Sequence, residues 1–285
     1  MNKADIDTEF IDELRPLLKT YAYNICGTLE EAEDAVQDVF LKFMQLDYNT
    51  IYDFKSYLIR MVINRSINQK KLLKRQLTAY PGEWLPEPVA TEKADAGISR
   101  KELLSYSLMV LLEKLNARQR AVFILKEAFG YDHNEISSVL GITSDLSRQL
   151  LSRAKKQIGM QQPLKNRIAP ANFLNKYLEV LQSGDTHKLE ALLNEDIRVV
   201  SDGGGKATAA LKIVFGKKSV AALLIGLHKK FNRYCDIRKD LINHQPGLLY
   251  FSDDKLIKCQ TFFYTENGIS NVYIIRNPDK LNVLK

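Results

Sequence analysis

Apolar residues recur at helical spacing in the first part of the chain, most clearly between Leu115 and Ile158. Three of them share the i, i+3, i+4 spacing of one helical face: Ile136, Val139 and Leu140. Gly141 follows where a sharp turn favours a residue without a Cβ. Thr143 or Ser144 then stands where a second helix needs a cap. The pattern predicts two helices joined by a tight turn.

The second of these helices is expected to bury Leu146, Leu150 and Ile158 and to expose polar, short and cationic side chains. Such side chains on a helix that follows a tight turn suit base edges and phosphates in a DNA major groove. The candidate DNA-binding residues are Ser144, Ser147, Arg148, Gln149, Ser152, Arg153 and Lys156. An ordinary helical hairpin with a solvated basic face is the alternative.

Two longer helices are predicted nearer the N-terminus. The first starts at Thr28, where Thr28 and Glu31 form a capping-box pattern, and its exposed face is mostly acidic. The second runs from about Phe54 to Arg75 and carries one polar stripe, made of Arg60, Asn64, Asn68, Lys71 and Arg75. Asn side chains pair with bases and the cations neutralise phosphates. In the loop between the helices, Tyr48 and Tyr52 are candidates for stacking on an unpaired base, and burial of both rings is the alternative.

Charge is distributed unevenly along this part of the chain. The whole chain has a net charge of +7 and a pI near 9.1. Residues 1–53 contain four Lys/Arg against twelve Asp/Glu, whereas residues 54–80 contain seven Lys/Arg and no acid. This change of sign predicts two binding surfaces of opposite charge.

Composition narrows the class of protein. The chain has 285 residues, of which 45% are apolar and 26% charged, as expected for two or three globular domains. The longest apolar run, Val220 to Leu227, is too short for a membrane helix, and the acidic start of the chain does not resemble a signal peptide. Three scattered cysteines, Cys26, Cys235 and Cys259, fit reduced thiols in the cytoplasm. We expect no cofactor, no metal and no membrane partner.

The pattern changes near Pro170, after which helices precede a series of strands. We predict helices over residues 171–193, broken at Gly184, and over residues 219–231. Strands are predicted over residues 197–201, 207–214, 234–242, 247–251, 256–264 and 269–276. The predicted fold class is therefore multidomain, with two all-α domains followed by an α+β domain. We expect boundaries at 1–78, 79–100 (a linker), 101–162 and 163–285.

The linker joins the two helical domains and contains the only tryptophan, Trp84. Three prolines keep it extended. A free linker has no need of such an apolar group, so we expect Trp84 to dock on another part of the protein. A local hydrophobic contact is the alternative.

Residues 8–160 resemble sigma factors of the extracytoplasmic-function group. Residues 31–40 are similar to the region 2 helix that docks on RNA polymerase core, and residues 54–68 to the helix that reads the −10 element. The helix-turn-helix is similar to region 4, which reads the −35 element, with Ser137 where the family commonly has Ala. The resemblance implies core binding by Asp34, Gln37, Asp38 and Leu41, and −10 recognition by Tyr48, Arg60, Asn64, Asn68, Lys71 and Arg75.

The C-terminal half resembles the SnoaL-like cone fold. Three segments, residues 84–89, 202–206 and 277–281, resemble those of sigma factors with a fused SnoaL-like extension, although residues 81–83 depart from the usual sequence. In that group the extension replaces a separate anti-sigma factor. The implied regulatory residues are Trp84, Leu85, Pro86, Asp202, Gly203, Gly204, Gly205, Lys206, Asn277, Pro278, Asp279, Lys280 and Leu281.

Two of these segments also have a direct physical interpretation. Gly203 to Gly205 favours a tight turn or a close backbone approach over a phosphate cradle, since no helix start or Ser/Thr follows Lys206. Asn277, Pro278 and Asp279 predict a turn. We hypothesise that both segments contact the linker.

The expected function is that of a non-catalytic initiation factor whose partners are RNA polymerase core, promoter duplex DNA and a small-molecule ligand of the cone domain. One alternative is an enzymatic or ligand-binding cone domain on a DNA-binding regulator; its histidines, His187, His228 and His244, have no recognisable catalytic spacing. A repressor or activator that needs no polymerase is the other alternative, and the acidic helix argues against it.

Overall fold

The chain forms two compact units in this computed structural model. The structure describes residues 8–48, 51–91, 97–159 and 169–284. Among these, the second unit contains residues 79–91, 105–107 and 169–284, and the remainder belongs to the first. The residues of the linker that precede position 92 therefore fold with the C-terminal part of the chain.

The first unit is entirely helical. Its helices are α1 (Thr8–Cys26), α2 (Leu29–Phe43), α3 (Phe54–Gln76), α4 (Tyr106–Leu112, which begins in the second unit), α5 (Ala117–Phe123), α6 (His133–Leu140) and α7 (Ser144–Ile158). A π-helical turn, Ile124–Ala128, continues α5. Apolar side chains from α1, α2 and α3 form one core, whose fully buried members include Leu18, Phe43, Leu58 and Val62.

Side-chain caps fix several helix starts, but the capping box predicted at Thr28 is wrong. Thr28 has the extended backbone of an N-cap residue, and its side chain makes no capping bond. The Glu31 side chain is half-buried, and burial raises its pKa. Capping boxes do form at Asn116 with Gln119 and at Asp132 with Glu135.

The second unit is built on one six-stranded sheet with the order β2-β1-β6-β5-β4-β3. The strands are β1 (Leu193–Asp202), β2 (Val214–Phe215), β3 (Asp236–Ile242), β4 (Gln245–Ser252), β5 (Lys255–Thr265) and β6 (Gly268–Ile275). β1 and β6 are parallel, and every other pair is antiparallel. The predicted fold class, helical domains followed by an α+β domain, is thus confirmed.

Helices pack on this sheet and close its core. They are α8 (Phe173–Ser183), α9 (Thr186–Leu192), α10 (Lys217–Leu227) and the short α11 (Pro278–Leu281). The Tyr177 ring lies 4.8 Å from that of Phe262, within a cluster that also buries Leu224 and Leu248. The turn predicted at residues 277–279 is the N-terminus of α11, where the Asn277 side chain caps the helix.

The strand predicted over residues 207–214 is wrong, because only Val214 and Phe215 pair with β1. The predicted strand begins instead in a turn, where the amides of Lys206 and Ala207 both donate hydrogen bonds to the Gly203 carbonyl. No described helix is long and apolar enough to cross a membrane.

Candidate functional site

The α7 helix presents the predicted −35 residues on a well-defined turn. Gly141 ends α6 in the left-handed conformation, with φ of 62°, and the Thr143 side chain accepts a hydrogen bond from the Leu146 amide. Five predicted DNA-binding side chains are exposed on α7: Arg148, Gln149, Ser152, Arg153 and Lys156. Ser144 is half-buried, and its hydroxyl donates to the Asn134 side chain.

Ser147 contradicts its prediction as an exposed DNA-binding residue. It is fully buried, and its hydroxyl lies 2.9 Å from Nδ1 of His133. The buried stripe of α7 comprises Ser147, Leu151, Ala154 and Ile158, whereas the predicted Leu146 and Leu150 are only half-buried. The prediction is confirmed at Ile158, but it is one residue out of phase at Leu146 and Leu150, because the buried face also uses the small residues Ser147 and Ala154.

The predicted polymerase-binding residues lie along one side of α2. Asp34 and Gln37 are exposed, and Leu41 retains 54% of its accessible surface. Asp38 is partly covered by an ion pair with Arg65, 2.5 Å away. The face thus combines carboxylates with an exposed leucine.

Most of the predicted −10 stripe is exposed on α3, namely Arg60, Asn68, Lys71 and Arg75. Asn64 differs, because its amide group donates to the Val139 carbonyl of α6 at 2.8 Å. Tyr48 is half-buried, with its ring 5.0 Å from that of Phe43, which favours the packing alternative for this tyrosine. Tyr52 is fully exposed.

A buried charge cluster also joins α3 to the segment before α5. The Lys70 ammonium donates to both carboxylate oxygens of Glu113, at 2.9 and 2.8 Å, and to the Cys26 carbonyl. Arg120 is fully buried and also pairs with Glu113. The sequence reasoning missed this cluster, although three charged residues among apolar helical positions were a signal.

The cluster changes the protonation of its members. Burial lowers the pKa of Lys70 to about 8, and the Glu113 charge opposes that effect. Burial works against ionisation of Glu113, but Arg120 and Lys70 together hold the pKa of its carboxyl below the usual range. Near neutral pH the cluster contains one carboxylate shared by two cations.

A second polar cluster lies in the C-terminal unit and holds the linker; we call it the linker dock. At its centre is the fully buried side chain of Asp202, at the end of β1. Its carboxylate accepts hydrogen bonds from the Tyr80 hydroxyl at 2.5 Å, the Leu85 amide at 2.9 Å and the Lys280 ammonium at 2.6 Å. Burial, followed by the Asp202 contact, raises the pKa of Tyr80.

The last helix completes the linker dock. The Lys280 ammonium donates to the Leu85 carbonyl and lies 4.2 Å from the centroid of the Trp84 ring. Asn277 donates from its amide group to the Tyr80 hydroxyl at 3.1 Å. Residues from all three predicted regulatory segments therefore lie in one hydrogen-bonded cluster.

The glycines of the second segment allow this close approach. Gly204 has a φ of +61°, and a Cβ at this position would lie 2.3 Å from the Asn277 amide nitrogen. A Cβ on Gly205, with φ of +69°, would lie 2.9 Å from the ring of Pro81. Lys206 pairs with Asp279 at 2.6 Å, and both side chains are exposed. Any residue larger than glycine would push the linker or α11 away.

Further along, the linker extends the sheet at its β3 edge. Ala90 forms a bridge with Ile242, and the Thr91 amide donates to the Leu241 carbonyl. The Val89 amide donates to the Asn243 side chain at 2.9 Å. Backbone pairing therefore fixes the linker as far as Thr91.

Among the described residues, no group of three or more His, Cys, Asp or Glu side chains is placed to hold a metal ion. The three histidines of the C-terminal unit lie on different elements. His187 is on α9, His228 follows α10, and His244 lies between β3 and β4.

Comparison with known proteins gives consistent matches. Sigma-70 region 2 matches residues 10–76, and sigma-70 region 4 matches residues 105–158. The extracytoplasmic-function RNA polymerase sigma factor SigJ of Mycobacterium tuberculosis is 31% identical over 227 residues, which cover 77% of this chain and 72% of that protein. Another M. tuberculosis protein, the probable sigma factor SigI, is 24% identical over 62% of this chain and 67% of its own length.

The crystal structure of M. tuberculosis SigJ is also similar to this chain. It matches with a TM-score of 0.78 and 26% identity, and the match covers 97% of this chain and 99% of the other. The similarity therefore includes the C-terminal unit as well as the helical one.

Proposed function

Because this chain belongs to the extracytoplasmic-function sigma factors of RNA polymerase, we propose that its C-terminal domain regulates promoter activity by restraining the linker between the two sigma regions. The observation that carries this proposal is the linker dock, in which Asp202 and Lys280 hold Tyr80, Trp84 and Leu85. The domain thereby takes the place of a separate anti-sigma factor. Polymerase supplies the chemistry, and this chain supplies docking and promoter recognition in the cytoplasm.

The surface residues divide into three proposed roles. The α2 face with Asp34, Gln37, Asp38 and Leu41 docks on the polymerase core. The exposed residues of α3, with Arg60 and Asn68 central, read and hold the −10 element, and Tyr52 is better exposed than Tyr48 for stacking on a base. Arg148, Gln149 and Arg153 read the −35 major groove, while Lys71 and Lys156 neutralise phosphates.

The spacing of the two promoter elements supports a starting state in which the two sigma regions are held together. The −35 and −10 elements are about 25 base pairs apart, or roughly 85 Å at 3.4 Å per base pair. Yet Asn64 of the −10 helix is hydrogen-bonded to Val139 of the helix-turn-helix, and Lys70 is bonded to Glu113. Both elements of one promoter cannot be read while these contacts persist, so the two regions must separate first.

The reach of the linker limits that separation. Fully extended, the 22 residues from 79 to 100 would span about 70–80 Å. Residues 80–91 are instead fastened to the C-terminal domain by Asp202, Lys280, Asn243 and the β3 edge. Every residue held there shortens the reach between the regions. Release of the linker is therefore the step at which the domain controls initiation.

Run-off transcription with purified bacterial core polymerase, on the promoter of this chain's own gene region, tests the proposal. Three full-length proteins are compared: the unaltered chain, Asp202→Asn and Lys206→Met. Asp202→Asn removes the charge that Lys280 and the linker contact, so we expect a several-fold increase in transcript at equal protein concentration. Lys206→Met removes only an exposed ion pair of the same segment and serves as the matched control.

A native gel shift with core polymerase measures core binding, and so distinguishes failure of the linker-restraint proposal from failure of the sigma function itself. If Asp202→Asn binds core and transcribes at the level of the unaltered chain, linker restraint is wrong while the sigma function stands. A change of equal size in Lys206→Met would also contradict a specific role of the buried dock. We further propose that a small molecule bound to the C-terminal domain is the signal that the dock responds to.

A further inference from the structure

An open cleft of about 850 Å³ lies in the C-terminal domain between α8, the turn after α10 and β3. Its lining includes Leu178, His228, Asn232, Arg233, Cys235 and Ile237. It is separate from the linker dock, since none of its lining residues belongs to the cluster of Asp202, Asn277 and Lys280 that holds Tyr80 and Leu85. Its lining combines polar and charged side chains with the apolar side chains of Leu178 and Ile237.

Beside this cleft, Lys258 of β5 is buried without a carboxylate partner among the described residues. Only 5% of its surface is exposed, and its ammonium lies 3.2 Å from the centroid of the Tyr250 ring. Tyr250 lies on β4, between Lys258 on β5 and Ile237 on β3, and it is the cross-strand neighbour of both. Burial lowers the pKa of Lys258 to about 7, the effect expected of an ammonium without a counter-ion.

His228 brings a second unsatisfied polar atom to the same place. The residue is 6% exposed and lines the cleft, and its Nδ1 has no hydrogen-bond partner within the described parts of the chain. Burial lowers its pKa, and the charges of Lys258 and Arg233 lower it further. Buried polar atoms are normally paired, so an unpaired nitrogen on a residue that lines a cleft is a candidate partner for a ligand bound there.

The charges around the cleft specify the sign of that partner. Three cationic residues line it, Lys229, Arg233 and Lys239, against one acid, Asp236. Arg238, two residues after Asp236, pairs with that carboxylate at 2.8 Å. The remaining field is positive and favours an anion. Leu178 and Ile237, which also line the cleft, offer an apolar surface to the rest of the molecule.

We propose that this cleft binds a small organic carboxylate, with its anionic group between Lys258 and His228 and its apolar body against Leu178 and Ile237. The single negative charge of a carboxylate matches the single buried ammonium better than a dianion does. Hydrogen bonds in which one partner is ionised are also stronger than hydrogen bonds between neutral groups. The bound carboxylate supplies the counter-ion of Lys258 and the partner of His228 together. This inference rests on the small-molecule signal proposed above, and it adds the chemical class of the ligand and its binding site.

Isothermal titration of the full-length protein with acetate, benzoate and octanoate tests the proposal. Benzamide is the neutral match for benzoate, and inorganic phosphate is the match for a polar anion. We expect saturable binding of benzoate or octanoate, and binding of benzamide and phosphate at least tenfold weaker. Lys258→Met keeps the buried chain and removes the charge, so it should weaken carboxylate binding at least tenfold. Lys230→Met, an exposed residue of the same turn outside the cleft lining, should leave it unchanged.

His228→Leu provides an independent variant should Lys258→Met fail to fold, and circular dichroism checks both proteins. Failure of all three carboxylates to bind would overturn the inference, as would phosphate or benzamide binding as tightly as benzoate. Equal loss in Lys230→Met would mean attraction by general surface charge and would overturn it too. Binding is measured without polymerase, so failure here leaves the proposed linker restraint untouched, and failure of the transcription test leaves the cleft untouched.

Discussion

The ammonium of Lys280 lies 4.2 Å from the centre of the Trp84 ring, so the last helix holds the only tryptophan of the chain. Between these residues lie nearly two hundred positions of sequence. Their contact makes one fluorophore a direct reporter of whether the linker is bound.

Lys280→Met is expected to shift Trp84 emission to longer wavelength. The substitution removes the cation over the ring and leaves Asp202 buried without its ion pair. The linker then detaches from the C-terminal domain, and the indole of Trp84 becomes exposed to solvent. Steady-state fluorescence and iodide quenching measure this change without interference, since no other tryptophan is present. Lys206→Met is the control, and an unaltered spectrum in Lys280→Met would show that Trp84 is held by other contacts.

Gly204→Ala should lower the free energy of unfolding of the C-terminal domain by more than Gly184→Ala. Both glycines have positive φ, +61° and +68°, so both substitutions cost about 1 kcal/mol of backbone strain. The new Cβ at position 204 also meets Asn277, which is bonded to Tyr80, whereas at position 184 it meets only the flexible end of Lys229. Urea unfolding followed by circular dichroism compares the two, and equal losses would refute a tight packing role for Gly204.

Glu113→Gln should destabilise the helical unit by about 3–5 kcal/mol, because it leaves Lys70 and Arg120 buried without their shared carboxylate. Asp145→Asn is the matched control, since its pair with Arg148 is exposed and contributes at most about 0.5 kcal/mol. Thermal unfolding of both variants gives the comparison. A loss in Glu113→Gln no larger than in Asp145→Asn would show that the cluster contributes little.

Lys156→Gln should weaken DNA binding for all sequences and reduce the slope of log K against log salt concentration by about one. Lys156 is exposed on α7, where a phosphate contact would release one counter-ion. Fluorescence anisotropy of the polymerase holoenzyme on promoter and unrelated duplexes measures both quantities. Lys230→Gln, on the C-terminal domain, is the control of equal charge change; an unchanged slope in Lys156→Gln would exclude this contact.

Lys258 should make the stability of the protein rise with pH above neutrality. The unfolded chain keeps the ordinary lysine pKa near 10.5, and the fold lowers it to about 7. Between these values the unfolded chain binds more protons, so the free energy of unfolding increases from pH 7 to 10.5. Lys258→Met lacks this increase. Urea unfolding at several pH values gives the free energy of unfolding of both proteins. Lys70 also has a lowered pKa but is present in both, so the difference between the two free energies reports Lys258 alone. A difference that stays constant with pH would contradict the lowered pKa of Lys258.

Local sequence features predicted the helix-turn-helix well. Gly141 ends α6 and Thr143 caps α7, because both features depend on backbone conformation and hydrogen bonds within a few residues. The same local reasoning was wrong for Ser147 and for the strand over residues 207–214. There, packing against a neighbouring helix and pairing across a sheet decide the structure, and neither partner is close in sequence.

By itself the sequence determined the family, the order of helical and α+β domains, and the opposite charges of the α2 and α3 surfaces. These follow from motifs, periodicity and local charge. Tertiary structure alone decided that Asp202, Lys280 and Trp84 meet, that Asn64 bonds to Val139, and that Lys258 lies close enough to His228 to lower its pKa. Each of these depends on which buried polar atoms come together. A one-dimensional pattern does not contain that information, because the partners are joined only when the chain folds.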